Sequence, residues 1–231
     1  MTILAEQRLS DSPYIAAVMQ GQTVQDGSAI RPAEICWHMV LVREHGKVHS
    51  LLVGPWSTAG VAAWGEGAEI LWIKFKPGVF MPHLACDRLL DRETALPQGT
   101  GQSFWLKGNT WELPSYATVE TFVNRLVHEE VLVCDPVVET VLNDQPHQLA
   151  PRTVRHRFQR ATGLSPKQIQ QMVRAQRAAA LLQQGISILD TVYEAGYYDQ
   201  PHLTRALRQW IGYTPVQLLG AGDSGIATNT R

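Results

Sequence analysis

At 231 residues the chain has room for two modest domains, and a hydrophobic content of 45% is enough to bury a core in each. Twenty Lys and Arg against twenty-one Asp and Glu give a net charge of −1, which excludes a uniformly basic or acidic protein and moves the question to how charge is distributed. Cys36, Cys86 and Cys134 are odd in number and far apart, with no CxxC, which argues against a disulfide framework or a structural zinc site and fits a reducing compartment.

The opening MTILAEQRLSDSPY has no charged leader followed by a long apolar core, so no signal peptide is expected, and residues 1–12 read as a loose arm. From about 13 to 83 the segments are short and strand-like. EICWHMVLVRE, the turn HGK and VHSLLVG predict a hairpin. GVAAWGEGAEILWIKFKPG turns at Gly65-Glu66-Gly67. It then alternates Ile73 and Phe75 with Lys74 and Lys76 until Pro77-Gly78 ends the run. Short strands with Gly and Pro turns predict an antiparallel barrel or sandwich. Six of the seven tryptophans lie at or before Trp111 and supply its core.

After LPQGTGQS the period changes. Val119, Phe122, Val123 and Leu126 predict a helix within 116–131 that packs on its own domain, links two domains or pairs across a dimer. CDPVVETVL opens a second helix with Asp135 as N-cap and Pro136 at its first position. APRTVRHRFQRATGLSP predicts a third, with Val154 and Phe158 inward and Gly163 at its end. Ser165 and Pro166 open a long helix running to Gly185, with Ile169, Met172, Val173, Ala180 and Leu181 inward. The expected division is a β-rich domain over 1–114, a connecting helix over 115–134, a helical domain over 135–222 and a disordered tail over 223–231. No apolar run reaches bilayer-spanning length, so a cytoplasmic chain without membrane contact is expected.

The segment ISILDTVYEAGYYDQPHLTRALRQWIGYTP carries the most information. Ile188, Val192 and Ala195 share a helical face, with Leu189 beside them, and Gly196 supplies a left-handed stop. Asp199 then caps a helix whose first turn holds Pro201. Leu203, Leu207 and Trp210 form one apolar stripe, while Gln200, His202, Thr204, Arg205 and Arg208 occupy the other face. Gly212 and Pro215 end the element. Helix, tight turn and an acid-free cationic helix describe a helix-turn-helix whose second member reads a major groove; an ordinary helical hairpin with a solvated face has the same spacing. Charge is divided accordingly. Residues 1–150 carry ten Lys and Arg against seventeen Asp and Glu, and residues 151–231 carry ten against four.

RTVRHRFQRATGLSP aligns with HLTRALRQWIGYTP, so a second reader is expected upstream, separated by the Ser165–Gln184 helix at a span close to one duplex turn. Over about 135–219 the chain resembles the AraC/XylS family of transcription regulators. AGYYDQPHLTRALRQWIGYTPVQL is similar to the family's second motif, SPKQIQQMVRAQRAAALL to its linker helix, and RTVRHRFQRATGLSP to the reading helix of its first motif. VLNDQPHQLAPRTV departs from the pattern: it lacks the usual small residue and glycine, and Pro146 interrupts it. The resemblance implies a partner of double-stranded DNA. It implies base reading by Gln200, Thr204 and Arg205, with His202 nearby, and by Arg152, Arg155 and His156. Arg157, Arg160, Lys167, Arg174 and Arg208 are then expected to contact phosphate.

In the N-terminal half, LLVGP followed by ILWIKFKPGVF resembles the cupin-like sensor domain of one AraC-type subgroup, which implies a small-molecule effector, a homodimer, or both. Trp37, His38, Trp56, Trp64, Trp72 and His83 are the candidate pocket residues, with an aromatic core as the alternative for most of them. No HxH, GxSxG, HExxH or phosphate-cradling glycine loop is present, so no metal, cofactor or catalytic residue is expected. The expectation is a DNA-binding regulator of α+β class. Its rival is a catalytic or ligand-carrying cupin-like protein with a vestigial helix-turn-helix module.

Overall fold

The computed structural model describes residues 3–84, 86–100, 102–143, 145–146 and 148–220; the expected disordered tail, 223–231, lies outside them. The chain is β-rich up to Glu112 and mainly helical from Val119, the two-domain α+β organisation expected from the sequence. In order, the first elements are β1 (Ile3–Leu9), β2 (Ile15–Thr23), β3 (Gly27–Arg31), β4 (His38–Glu44), β5 (Lys47–Val53), β6 (Gly60–Trp64), β7 (Glu69–Phe75) and β8 (Val79–Phe80). A short α1 (Cys86–Leu89) precedes β9 (Glu93–Ala95), β10 (Ser103–Leu106) and β11 (Asn109–Glu112). Then come α2 (Val119–His128), β12 (Val133–Cys134), α3 (Pro136–Leu142), α4 (Pro151–Thr162), α5 (Pro166–Gln183), α6 (Ile188–Glu194), α7 (Gln200–Trp210) and α8 (Pro215–Gly220).

Two compact units divide this chain. One holds residues up to Ser28, Ile35–Trp56 and Ala63–Pro166; the other holds Ala29–Glu34, Ser57–Ala62 and Lys167 onward. The units therefore group α3 and α4 with the β-rich part, and two short N-terminal segments with α6 and α7.

In the first unit six strands form an antiparallel sheet in the order β1-β2-β7-β4-β5-β9, with β1 and β9 at its edges. The hairpin expected over 34–54 is β4–β5. Glu44 faces Lys47 across a two-residue turn in which His45 and Gly46 both have positive φ, which matches the twist of the strands. Residues 3–9, expected to lie in a loose arm, are instead strand β1, paired to β2 from Ile3↔Thr23 through Leu9↔Ala17. ILAEQRL shows no apolar alternation because an edge strand with both faces largely in solvent does not need one. Arg8 ties this strand to α2, donating to Glu120 Oε1 at 2.5 Å and Oε2 at 2.9 Å.

Strand parity sorts the side chains of the sheet. Val18, Ile73, Met39 and Leu52 form one cross-strand row, all fully buried. Two residues further along each strand, the same face continues through Gln20, Leu71 and Leu41, and then through Gln22, Glu69 and Arg43. The buried row belongs to a core closed by Trp37 stacked on Phe75 at 4.2 Å, by Phe104 and Trp111 of the β10–β11 hairpin, and by Val119, Phe122, Val123 and Leu126 of α2. The four apolar residues that predicted α2 are thus all buried against their own unit's core.

In the second unit α5 buries Ile169 and Met172 as expected, but the stripe differs further along. Val173 is 48% exposed, and Ala180 and Leu181 are half-buried. Ala175, Ala178, Ala179 and Leu182 form the buried face, because steps of three and four from Met172 reach them and not Val173. Leu189 of α6 is also exposed, at 65%. Pro215, read as a stop, is also the first residue of α8, which Thr214 and Gln217 open with reciprocal hydrogen bonds between their side chains and backbone amides.

Candidate nucleic-acid interface

Helix α6, its turn and α7 form the helix-turn-helix that the sequence predicts. Ser187 Oγ caps α6 by accepting from Asp190 N at 3.1 Å. At the other end Gly196 takes φ +70°, and its N–H donates to Tyr193 O while Tyr197 N donates to Val192 O. That pair of bonds is a Schellman motif, closing the helix where a side chain at Gly196 would strain the backbone. Asp199 Oδ1 then accepts from His202 N at 2.7 Å and starts α7, with Pro201 in the first turn where no N–H is needed.

Helix α7 divides by face. Leu203, Ala206, Leu207 and Trp210 are buried; Gln200, Arg205 and Arg208 are exposed and Thr204 is half-buried. The outer face carries no carboxylate beyond the cap, and Arg208 sits in the last turn, where the helix dipole favours a cation. His202 is half-buried with its ring edge-on to Tyr197 at 5.1 Å. Arg174 of α5, expected at phosphate, reaches the turn of the motif: it donates to Gly196 O at 3.3 Å and lies 5.4 Å from the centre of the Tyr197 ring. Burial pushes the Tyr197 phenol up to about 12, against a smaller opposing effect of Arg174, so it is neutral at physiological pH. Lys167, in the first turn of α5, is exposed.

In the first unit α4 buries Val154, Phe158, Ala161 and Thr162 and exposes Arg152, Arg155, His156 and Arg160. Arg152, Arg155 and His156 lie at i, i+3 and i+4 and share one face, and the helix contains no acidic residue. Arg160 also lies 5.5 Å from the Phe80 ring centre. Arg157 is held by Asp135 in a two-point pair, Nε to Oδ2 at 2.9 Å and Nη2 to Oδ1 at 2.8 Å. The same carboxylate caps α3 by accepting from Val137 N, so one acidic residue starts one helix and braces the next. The link between α3 and α4 runs from 143 to 150, longer than the three- or four-residue turn of a tight helix-turn-helix, in the stretch where Pro146 departs from the pattern.

The first unit also contains a groove of about 850 Å³. Its walls include Gln20, Leu41, Arg43, Glu69, Leu71 and Tyr116, the open continuation of the sheet face whose other end is core. Arg43 Nε lies 3.6 Å from Glu69 Oε2 on that wall. None of the six candidate pocket residues lines the groove. Trp72 and His38 have the opposite strand parity and face away from it, Trp72 Nε1 donating to His38 Nδ1 at 2.6 Å. Trp37 is buried and donates to Val79 O at 2.5 Å, Trp56 and Trp64 are half-buried, and His83 is exposed. The usable signal was the parity of polar residues in otherwise apolar strands, Gln20 and Gln22 against Arg43 and Glu69. Among the described residues no three His, Cys, Asp or Glu side chains cluster as a metal site, and no helix is long and apolar enough to cross a membrane.

Residues 147–221 match the family model described as "Helix-turn-helix domain", a domain of the AraC type, and this supports the AraC/XylS resemblance read from the sequence. The match begins just before α4 and takes in α5 to α8. No curated protein and no solved structure matches the chain.

Proposed function

We propose, from the premise that residues 147–221 carry an AraC-type helix-turn-helix domain, that this protein is a sequence-specific DNA-binding transcription regulator controlled by a small molecule. The observation that carries the reading is the outer face of α7: Gln200, Thr204, Arg205 and Arg208 on a capped helix whose other side is buried. Arginine donates two hydrogen bonds to guanine N7 and O6, and glutamine matches adenine in the same way. Helix α4 is the second reader, through Arg152, Arg155 and His156. The eighteen residues of α5 measure about 27 Å at ~1.5 Å each, on the scale of the ~34 Å between successive major-groove faces.

The effector site we assign to the groove of the β-rich part. An apolar floor of Leu41 and Leu71 beside Arg43, Glu69 and Gln20 suits a small molecule with an apolar body and a polar end. Homodimerisation, implied by the resemblance, does not use the apolar side of α2, which is already buried in its own core. Selection of preferred duplexes from a random pool, with and without cell metabolites, tests the function. A single preferred site is expected, with Arg205→Ala costing about 1–3 kcal/mol and relaxing preference at one base step. Sequence-blind binding in every condition would overturn it.

A further inference from the structure

We infer that residues 29–34 and 57–62 are positioning elements for the second reader helix, holding the end of α7 through main-chain hydrogen bonds. The inference rests on α7 being a DNA reader. The last four carbonyls of a helix have no partner within it. Two of those of α7 are taken by these segments: Ala33 N donates to Trp210 O at 2.7 Å, and Ala59 N donates to Gln209 O at 2.8 Å. Leu207 O is satisfied within the chain's own turn, by Ile211 N and Gly212 N. Gly212 follows at φ +88°, and a Cβ there would run into Ile30 Cγ2 and come within 3.3 Å of Ala59 Cβ. Position 212 therefore needs glycine twice, for its backbone and for the close approach of Ile30.

The two segments are the far ends of one ribbon, β3 paired with β6. Strand β2 leads into β3 after residues 24–26, and β6 into β7 after 65–68. A hydrogen-bonded knot ties those two links together. Thr23 N donates to Ala68 O and Ala68 N to Thr23 Oγ1, Gly67 N donates to Thr23 O, and Asp26 Oδ1 accepts from Glu66 N at 2.7 Å. Gln20 and Gln22 of β2 and Glu69 and Leu71 of β7 line the groove. The ribbon is therefore continuous in sequence with β2 and β7, the strands that line the groove. The placement of α7 depends on residues far from it in sequence, and no specificity contact is needed from them.

The test has two parts, both on the full chain. In the unmodified protein, amide hydrogen exchange at Ala33 and Ala59 should be as slow as at Leu203 and Leu207; exchange at loop rates would overturn the inference. Ala33→Pro and Ala59→Pro each delete one donor, while Ala33→Ser and Ala59→Ser keep it. On the selected duplex, the bases relaxed by Arg205→Ala define the part read by α7. The proline variants should lose preference there roughly three- to tenfold and keep it elsewhere, with the serine variants close to wild type. Equal loss over the whole site, or none, would overturn the positioning role. Should a proline variant not fold, Ile30→Ala, read on the same duplexes, takes its place with the same expectation. If no duplex is selected by any form, the functional reading itself fails and the positioning role with it, whatever the exchange shows.

Discussion

Tyr197 is 7% exposed, and its hydroxyl has no hydrogen-bond partner among the described residues. A buried hydroxyl without a partner lowers stability, so Tyr197→Phe should raise the unfolding free energy by up to about 1 kcal/mol, read by urea titration. Loss of stability would show that the hydroxyl is satisfied in solution. Glu120 makes the opposite kind of contribution. The hydrogen bond from Arg8, with a further one from Ser10, lowers its carboxyl to about 2 from an ordinary 4.5. Since the folded value lies below the unfolded one, the stabilisation is complete above about pH 4.5. It fades as the pH falls towards 2. Both side chains are about one-third exposed, which limits the gain to about 1 kcal/mol. Glu120→Gln should therefore be less stable than wild type at pH 7, with the gap closing near pH 2; a pH-independent gap would contradict the assignment.

Among the elements, those whose sequence carries its own stop and start signals were legible. Asp135 and Asp199 sit where capping chemistry put them, Gly163, Gly196 and Gly212 take the positive φ that ends a helix, and the β4–β5 hairpin turns at His45-Gly46. Asp199→Ala should cost about 1 kcal/mol of stability, seen as a lower thermal midpoint and faster amide exchange in the first turn of α7. What stayed hidden depends on partners distant in sequence. Strand β1 carries no pattern of its own because pairing with β2 makes it a strand. The buried side of α5 is built partly from Ala175, Ala178 and Ala179, whose small side chains mark a face more weakly than the exposed Val173 does. For the candidate site, the division of α7 into an apolar stripe and a polar face was readable from spacing, whereas the pairing of Arg157 with Asp135 crosses twenty-two residues and shows only in three dimensions. Four of the six pocket candidates are tryptophans, which suit a pocket by type, whereas the groove wall is made of residues such as Leu41 and Gln20 that are individually ordinary.

For the molecule as a whole, charge is the discriminating quantity. A regulator that neutralises about five or six phosphates should show log affinity falling against log salt with a slope of about −5, and Arg160→Ala should flatten it by about 1. A ligand-carrying protein with a vestigial module would show a shallow slope and no preferred site. The ribbon that holds α7 has a temporal consequence as well. Ala33 and Ala59 precede their acceptors by about 150 residues or more, and at roughly 5–20 residues per second a ribosome needs on the order of 8–30 seconds to make that stretch. The grip on the helix is among the last contacts to close on a nascent chain, so a translation product halted before Gln209 and Trp210 lacks both acceptors and cannot fix the end of α7.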